Sequence, residues 1–306
     1  MTTRWNVHAR HVRDTLQFWI GNRVPRRTLT RLFGWFSRIE QPWVRDLSLA
    51  VWRATSALDL SDAKHATFKS VHDCFTRELV PGARPFDPDP AIVASPCDAI
   101  VGACGAVVDG TAFQAKGSAY RLDELLVSAQ LAQRFRDGCY VTLRLTPSMY
   151  HRFHAPYACR VRRITYVAGD VWNVHPPALA RVERLYCRNE RAVIRCELAD
   201  CGQPIALVPV AAILVASIRL HFLDTLLHLR YRGSDAFLCD VPLRKGEEMG
   251  WFEHGSTLLV FAPAGFELHS GVAPGSVVRM GQPLLRLLPQ LQPVPADARL
   301  TPGCTR

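Results

Sequence analysis

The chain has 306 residues, 48% of them hydrophobic and 21% charged, with a formal net charge of +10. These values exclude a disordered or fibrous chain and leave room for one or two folded domains. Ten cysteines without a C-x-x-C pair, and no secretory segment at the start, point to free thiols in a reducing compartment rather than a disulfide framework or zinc knuckle.

The first region, residues 1 to about 75, reads as helical. Residues 1 to 60 hold ten arginines against Asp14, Glu40, Asp46 and Asp59, which is +6 of the +10, and five of the seven tryptophans: Trp5, Trp19, Trp35, Trp43 and Trp52. Leu29, Leu32, Phe33, Phe36 and Trp43 recur at roughly helical spacing, with Arg27, Arg31, Arg38 and Arg45 mostly off that stripe. Pro42 breaks the pattern. Such amphipathic helices suit either a surface of anionic lipid or the chain's own core. Nucleic acid is not an expected partner, since no basic run carries interleaved aromatics.

"SVHDCFTREL" (70–79) closes this region and "VPGARPFDPDP" (80–90) is a connector. From about 92 to 287 short strands alternate with Gly, Pro and Asp turns. One helix is expected at 121–136. "IALVPVAAILVASI" (205–218) is shorter than the about 18 to 20 residues of a spanning helix and contains Pro209. Its valines and isoleucines read as buried strand. Residues 288–306 form a loose Pro-rich tail. The expected fold is α+β: amphipathic helices over 1–75, then a β-rich sandwich or barrel over 76–287.

Within the strands "SPCDAIV" (95–101) and "APYACRV" (155–161) share a proline followed, five positions on, by valine. The second is followed by "AGDVWNV", and "PGSVVRMGQPL" (274–284) has similar glycine spacing. The pattern resembles the hammerhead strands of lipoyl and biotinyl carrier domains. No lysine sits at a hairpin tip as a carrier lysine would.

The chemistry-bearing residues lie in "FTRELVPGARP" (75–85), "SPCDA" (95–99), "YHRFHAP" (150–156) and "KGEEMGWFEHGST" (245–257). Singly, Asp98 reads as a turn cap, His151 and His154 as strand residues, and Ser256 as a turn residue. Together, in this order, the stretches resemble the phosphatidylserine decarboxylase family. "QAKGSAYRLDELL" (114–126), "CRNERAVI" (187–194), "AILVASI" (212–218) and "VRMGQPL" (278–284) fit as well. The resemblance spans roughly residues 60–285, and more loosely from about 29.

The resemblance implies a proenzyme that cuts itself between Gly255 and Ser256. The Ser256 hydroxyl attacks the Gly255 carbonyl and turns the amide into an ester. Elimination leaves the Gly255 carboxylate and a dehydroalanine, which hydrolyses to a pyruvoyl group with loss of ammonia. A serine hydroxyl needs a base for this. Family logic makes His154 that base and Asp98 its orienting carboxylate. His151 is the proton donor in decarboxylation. The product pieces, 1–255 and 256–306, stay associated, and the pyruvoyl cofactor acts as an electron sink for decarboxylating phosphatidylserine to phosphatidylethanolamine. The implied setting is the cytoplasmic face of the cell membrane, bound peripherally, with a homodimer as a further partner.

Ala99, Met149 and His254 depart from the residues usual in the family (Gly, Asp and Leu). Other readings are a pyruvoyl decarboxylase of another serine-headed lipid or a soluble amino acid, and a non-catalytic lipid-binding relative. A serine hydrolase lacks support because no G-x-S-x-G elbow occurs.

Overall fold

Three helices precede the strands in the computed structural model, which describes residues 25–291 apart from 116–117, 214–216, 229 and 254–255. They are α1 (Arg26–Phe36), α2 (Pro42–Thr55) and α3 (Val71–Phe75). Pro42 opens α2, where its missing N–H is no loss. The Ser70 hydroxyl caps α3 by accepting from the Asp73 amide. Residues 56–70 form no helix, so the expected helical region is interrupted. Trp5, Trp19 and the tail beyond 291 lie outside the described residues.

The strands then follow: β1 (Ile92–Ala94), β2 (Ala99–Ala106), β3 (Thr111–Ala115), β4 (Ser118–Arg121), β5 (Cys139–Arg144), β6 (Arg152–His154) and β7 (Cys159–Val167). After them come β8 (Arg191–Leu198), β9 (Pro204–Ala211), β10 (Ile218–Leu220), β11 (Ala236–Leu243), β12 (Glu248–Phe252), β13 (Ser256–Ala262), β14 (Phe266–Leu268), β15 (Val277–Val278) and β16 (Pro283–Leu287). The fold is α+β and mostly sheet. Eight strands pair in the order β11-β7-β8-β9-β13-β5-β2-β15, flanked by two three-stranded sheets, β1-β16-β14 and β10-β12-β6. These sheets are open: among the described residues no strand order closes on itself, so the barrel alternative is set aside.

Two further expectations change. The helix at 121–136 is two, α4 (Leu122–Leu126) and α5 (Ala129–Arg134). Val127 adopts a left-handed conformation between them, and the Ser128 hydroxyl starts the second by accepting from the Leu131 amide. The apolar run 205–218 is not one strand: all eight residues of β9 are buried, and Ile218 begins a strand of another sheet. Short helices α6 (Pro176–Leu179) and α7 (Leu185–Arg188) also interrupt the strand region.

The eight-stranded sheet is apolar on both faces, and alternation along each strand divides its side chains between two cores. Leu258 and Val260 of β13 enter one core with Val141, Leu143 and Leu207, while Leu259 and Phe261 enter the other with Tyr140 and Val208. Covering both faces explains why "LLVFA" is a continuous apolar run rather than an alternating one.

The weak repeat in the sequence is a spatial duplication. The turn after β1, residues 95–98, and the turn after β6, residues 155–158, hold each other by reciprocal bonds: Ala94 N–H donates to the Pro156 carbonyl at 2.9 Å and His154 N–H to the Pro96 carbonyl at 2.8 Å. Ser95 N–H donates to the Gln282 carbonyl and the Ser95 carbonyl accepts from Gly281 N–H; likewise Ala155 N–H donates to the Glu247 carbonyl and the Ala155 carbonyl accepts from Gly246 N–H. Gly246 and Gly281 have φ of +86° and +88°, which an L side chain adopts only with strain. The register repeats too: Ala94, Val93 and Ile92 face Pro283, Leu285 and Arg286, as His154, Phe153 and Arg152 face Glu248, Gly250 and Trp251. The counterpart of residues 274–284 is therefore the stretch ending in "RKGEEM", not "AGDVWNV".

Candidate active site

The duplication sets Asp98 on one turn and His154 at the end of β6, just before the other. Asp98 lies two residues beyond the carbonyl that accepts the His154 amide. Both are buried. Asp98 is gripped by Arg84, whose Nε lies 3.1 Å from Oδ1 and whose Nη2 lies 2.8 Å from Oδ2. The Met280 amide donates to Oδ1 at 2.8 Å. Arg84 also reaches Asp62 at 2.7 Å. Among the described residues no hydrogen bond joins Asp98 to His154.

His154 has its own partners. Nδ1 is 3.0 Å from the Gly246 carbonyl, which only accepts, so Nδ1 carries the proton. Nε2 is left as the acceptor, and the Tyr150 hydroxyl donates to it at 3.1 Å. Burial holds the imidazole below its ordinary value, against the Gly246 bond and the nearby Glu248 charge, which push it up. A neutral ring with an acceptor nitrogen is the form a general base requires. Burial likewise raises the Tyr150 phenol, so it stays a donor.

His151 is fully buried. Its Nδ1–H donates to the Met149 carbonyl at 2.8 Å, and its ring lies 3.8 Å from that of Phe75 on α3. Its own carbonyl accepts the Phe252 amide at 3.0 Å, which fastens it to the last residue of β12. The chain then crosses from the three-stranded sheet to the eight-stranded one. Glu253 is the last described residue before the crossing. Ser256 is the first residue of β13, opposite Ala211 of β9, and Thr257 faces Arg144 of β5. Gly255 and His254 lie outside the described residues, and Ser256 enters through its backbone.

The crossing from β12 to β13 thus starts beside His151, while His154 lies at the other end of the short β6–β12 ladder, with Asp98 on the adjoining turn. Arg84, Tyr150 and Glu253 were not nominated. Tyr150 was visible as the residue before the first histidine of "YHRFH"; Arg84 was visible only as a charge inside "PGARP". Among the described residues no three His, Cys, Asp or Glu side chains cluster as metal ligands.

A buried histidine with an acceptor nitrogen and a clamped carboxylate on the neighbouring turn, in a mostly-sheet α+β fold, are the groups of an acid–base enzyme. The sequence profile of the family described as phosphatidylserine decarboxylase matches residues 71–286. A phosphatidylserine decarboxylase proenzyme of Shewanella amazonensis is 36% identical over 278 residues, covering 86% of this chain and 96% of that one. Proenzymes of the same description from Vibrio cholerae and Pseudomonas fluorescens are each 36% identical, over 284 and 279 residues, covering 88% and 87% of this chain and 96% of each relative. The chain belongs to the phosphatidylserine decarboxylase family.

Proposed function

We propose that this protein decarboxylates phosphatidylserine to phosphatidylethanolamine after cutting itself between Gly255 and Ser256. The observation that carries the reading is the family match over residues 71–286, a span that includes Asp98, His151, His154 and the Gly255–Ser256 pair. His154 takes the Ser256 hydroxyl proton at Nε2, once Tyr150 yields that position. Asp98 stabilises the charged ring from the adjoining turn, its own place fixed by Arg84. His151, fastened to Phe252, delivers a proton in the decarboxylation.

The residues fit a pyruvoyl group at position 256. β13 is paired on both sides, to β9 and β5, and residues 257–262 are buried, so the strand that carries position 256 is held rigidly. Bound there, the group supplies an electron sink for the departing carboxylate. The pieces 1–255 and 256–306 stay together because β13, β14, β15 and β16 are woven into sheets with strands of the first piece.

The reading extends to the membrane. α1 turns Thr30 and the following Ser37 inward, while Leu32 and Trp35 on α1 and Trp43 and Leu47 on α2 are exposed, Trp35 by 69% and Trp43 by 72%. An outward apolar face beside arginines suits the interface of an anionic bilayer. No helix among the described residues is long and apolar enough to cross a membrane. The duplicated turns support the hammerhead reading of the strands.

The test is incubation of the purified protein with phosphatidylserine vesicles, following phosphatidylethanolamine and CO₂. His151→Asn should cut normally and turn over slowly. Turnover of free serine in place of the vesicles would favour a soluble substrate, and an uncut, inactive chain would favour a lipid-binding relative.

A further inference from the structure

The residues just before the cleavage bond are tied to the helices by one carboxylate. Glu253 is two positions from Gly255 and only 9% exposed. Its Oε2 lies 2.6 Å from Arg38 Nη2, at the end of α1, and 3.1 Å from His72 Nε2 on α3. Its Oε1 accepts from the Trp251 indole N–H at 3.1 Å. The Glu253 amide donates to the Ser217 carbonyl at 3.1 Å. α1 and α3 are themselves joined where the His72 amide donates to the Ser37 carbonyl at 2.8 Å.

This arrangement differs from an incidental surface ion pair. Exposed pairs are worth little, whereas breaking a buried one strands a charge. Burial raises the Glu253 carboxyl, but the His72 hydrogen bond and charge, with Arg38 and Trp251, outweigh it and hold the group at about 2. The carboxylate is therefore ionised throughout the physiological range. It fixes the segment entering the bond from one side, while β13, beginning at Ser256, fixes it from the other.

We propose that Glu253 is a positioning residue for self-cleavage: through Arg38 and His72 it uses the N-terminal helices to hold the Gly255 carbonyl where the Ser256 hydroxyl attacks it. The proposal rests on the self-cleavage reading above. It makes the helices part of the processing machinery as well as a face for lipid. A displacement of about 1 Å costs up to about a hundredfold in rate, so a lost tether registers as slow cutting.

The experiment is a pulse-chase of the full chain in expressing cells, measuring the half-time for conversion to the 1–255 and 256–306 pieces. Wild type is compared with Glu253→Gln, Glu253→Asp, Arg38→Ala and His72→Gln. The same substitutions are melted in an uncut Ser256→Ala background to separate positioning from folding. Expected are cutting slowed about tenfold or more in Glu253→Gln, partial slowing in Arg38→Ala and His72→Gln, and recovery in Glu253→Asp, with melting temperatures close to the parent. Wild-type cutting with equally fast cutting in Glu253→Gln would overturn the tether and leave the self-cleavage reading standing. Slow cutting matched by a collapsed melting temperature would also overturn it. If Glu253→Gln does not accumulate, Arg38→Ala and His72→Gln decide, and wild-type half-times in both would reject the proposal. An uncut wild type would instead overturn the self-cleavage reading itself.

Discussion

The two copies of the duplicated turn share a backbone and divide the chemistry. In the first, Ala94 occupies the place that His154 holds in the second; in the second, Ala158 occupies the place of Asp98. Each copy keeps its strand register, its glycine at positive φ and its bond to the other. The frame alone therefore does not make a site. One copy adds a carboxylate and recruits Arg84 from the connector. The other adds a histidine and recruits Tyr150, and its last strand runs on toward the Gly-Ser bond. The reciprocal bonds between the copies bring the carboxylate's turn against the strand end that carries the histidine.

The sharpest break of that comparison is the histidine. His154→Gln should slow self-cleavage by about a thousandfold, in the range a lost general base costs, while Ala94→Ser at the matching position should cut at the wild-type rate, measured by the time course of the two pieces. Wild-type cutting should also slow as pH falls, because a protonated His154 cannot accept, with a midpoint below the ordinary value of about 6.5. Asp98→Asn should slow cutting less, by about a hundredfold, since the carboxylate is bonded to Arg84 and Met280 and not to His154. Ala158→Ser is its control and should leave cutting unchanged.

A third expectation concerns the large sheet rather than the turns. Glu190 is fully buried, its Oε1 accepts from the Tyr166 hydroxyl at 2.9 Å, and burial pushes it up to about 7. A raised carboxyl binds its proton more tightly in the folded state. Its contribution is therefore complete below the unfolded value of about 4.3 and lost as pH rises through about 7. Glu190→Gln should gain on wild type across that window by about 3 kcal/mol, read from denaturant unfolding of an uncut Ser256→Ala background. The smallest effect falls on the outer face: Trp35→Ala should weaken binding to anionic vesicles about tenfold while the protein still cuts itself.

Much of this was legible in the sequence because it depends on local pattern. The shared prolines of 95–101 and 155–161 marked the two turns, and the Pro42 break separated α1 from α2. The ordered Asp, His and Gly-Ser stretches marked the candidate site. What was not legible depends on partners distant in sequence. Arg38 meets Glu253 across 215 positions, and no spacing rule links them. Arg84 and Asp98 are 14 apart but meet only because the connector folds back over the turn. The second repeat's strand was hidden because "RKGEEM" shares little with "RMGQPL" beyond its arginine and glycine; turn geometry, not side-chain identity, is repeated. The split of the helix at 121–136 escaped the leucine pattern because a left-handed residue at Val127 keeps Leu122, Leu125, Leu126 and Leu131 buried without helical continuity.

The most direct test of a self-made reactive group is intact mass under denaturing conditions, on wild type and Ser256→Ala. Wild type should give two pieces, 1–255 and 256–306, with the smaller lighter by one ammonia than a serine-ended fragment, and Ser256→Ala should give one uncut chain. A single full-length mass in both would contradict self-cleavage and leave Gly255–Ser256 as a turn into β13.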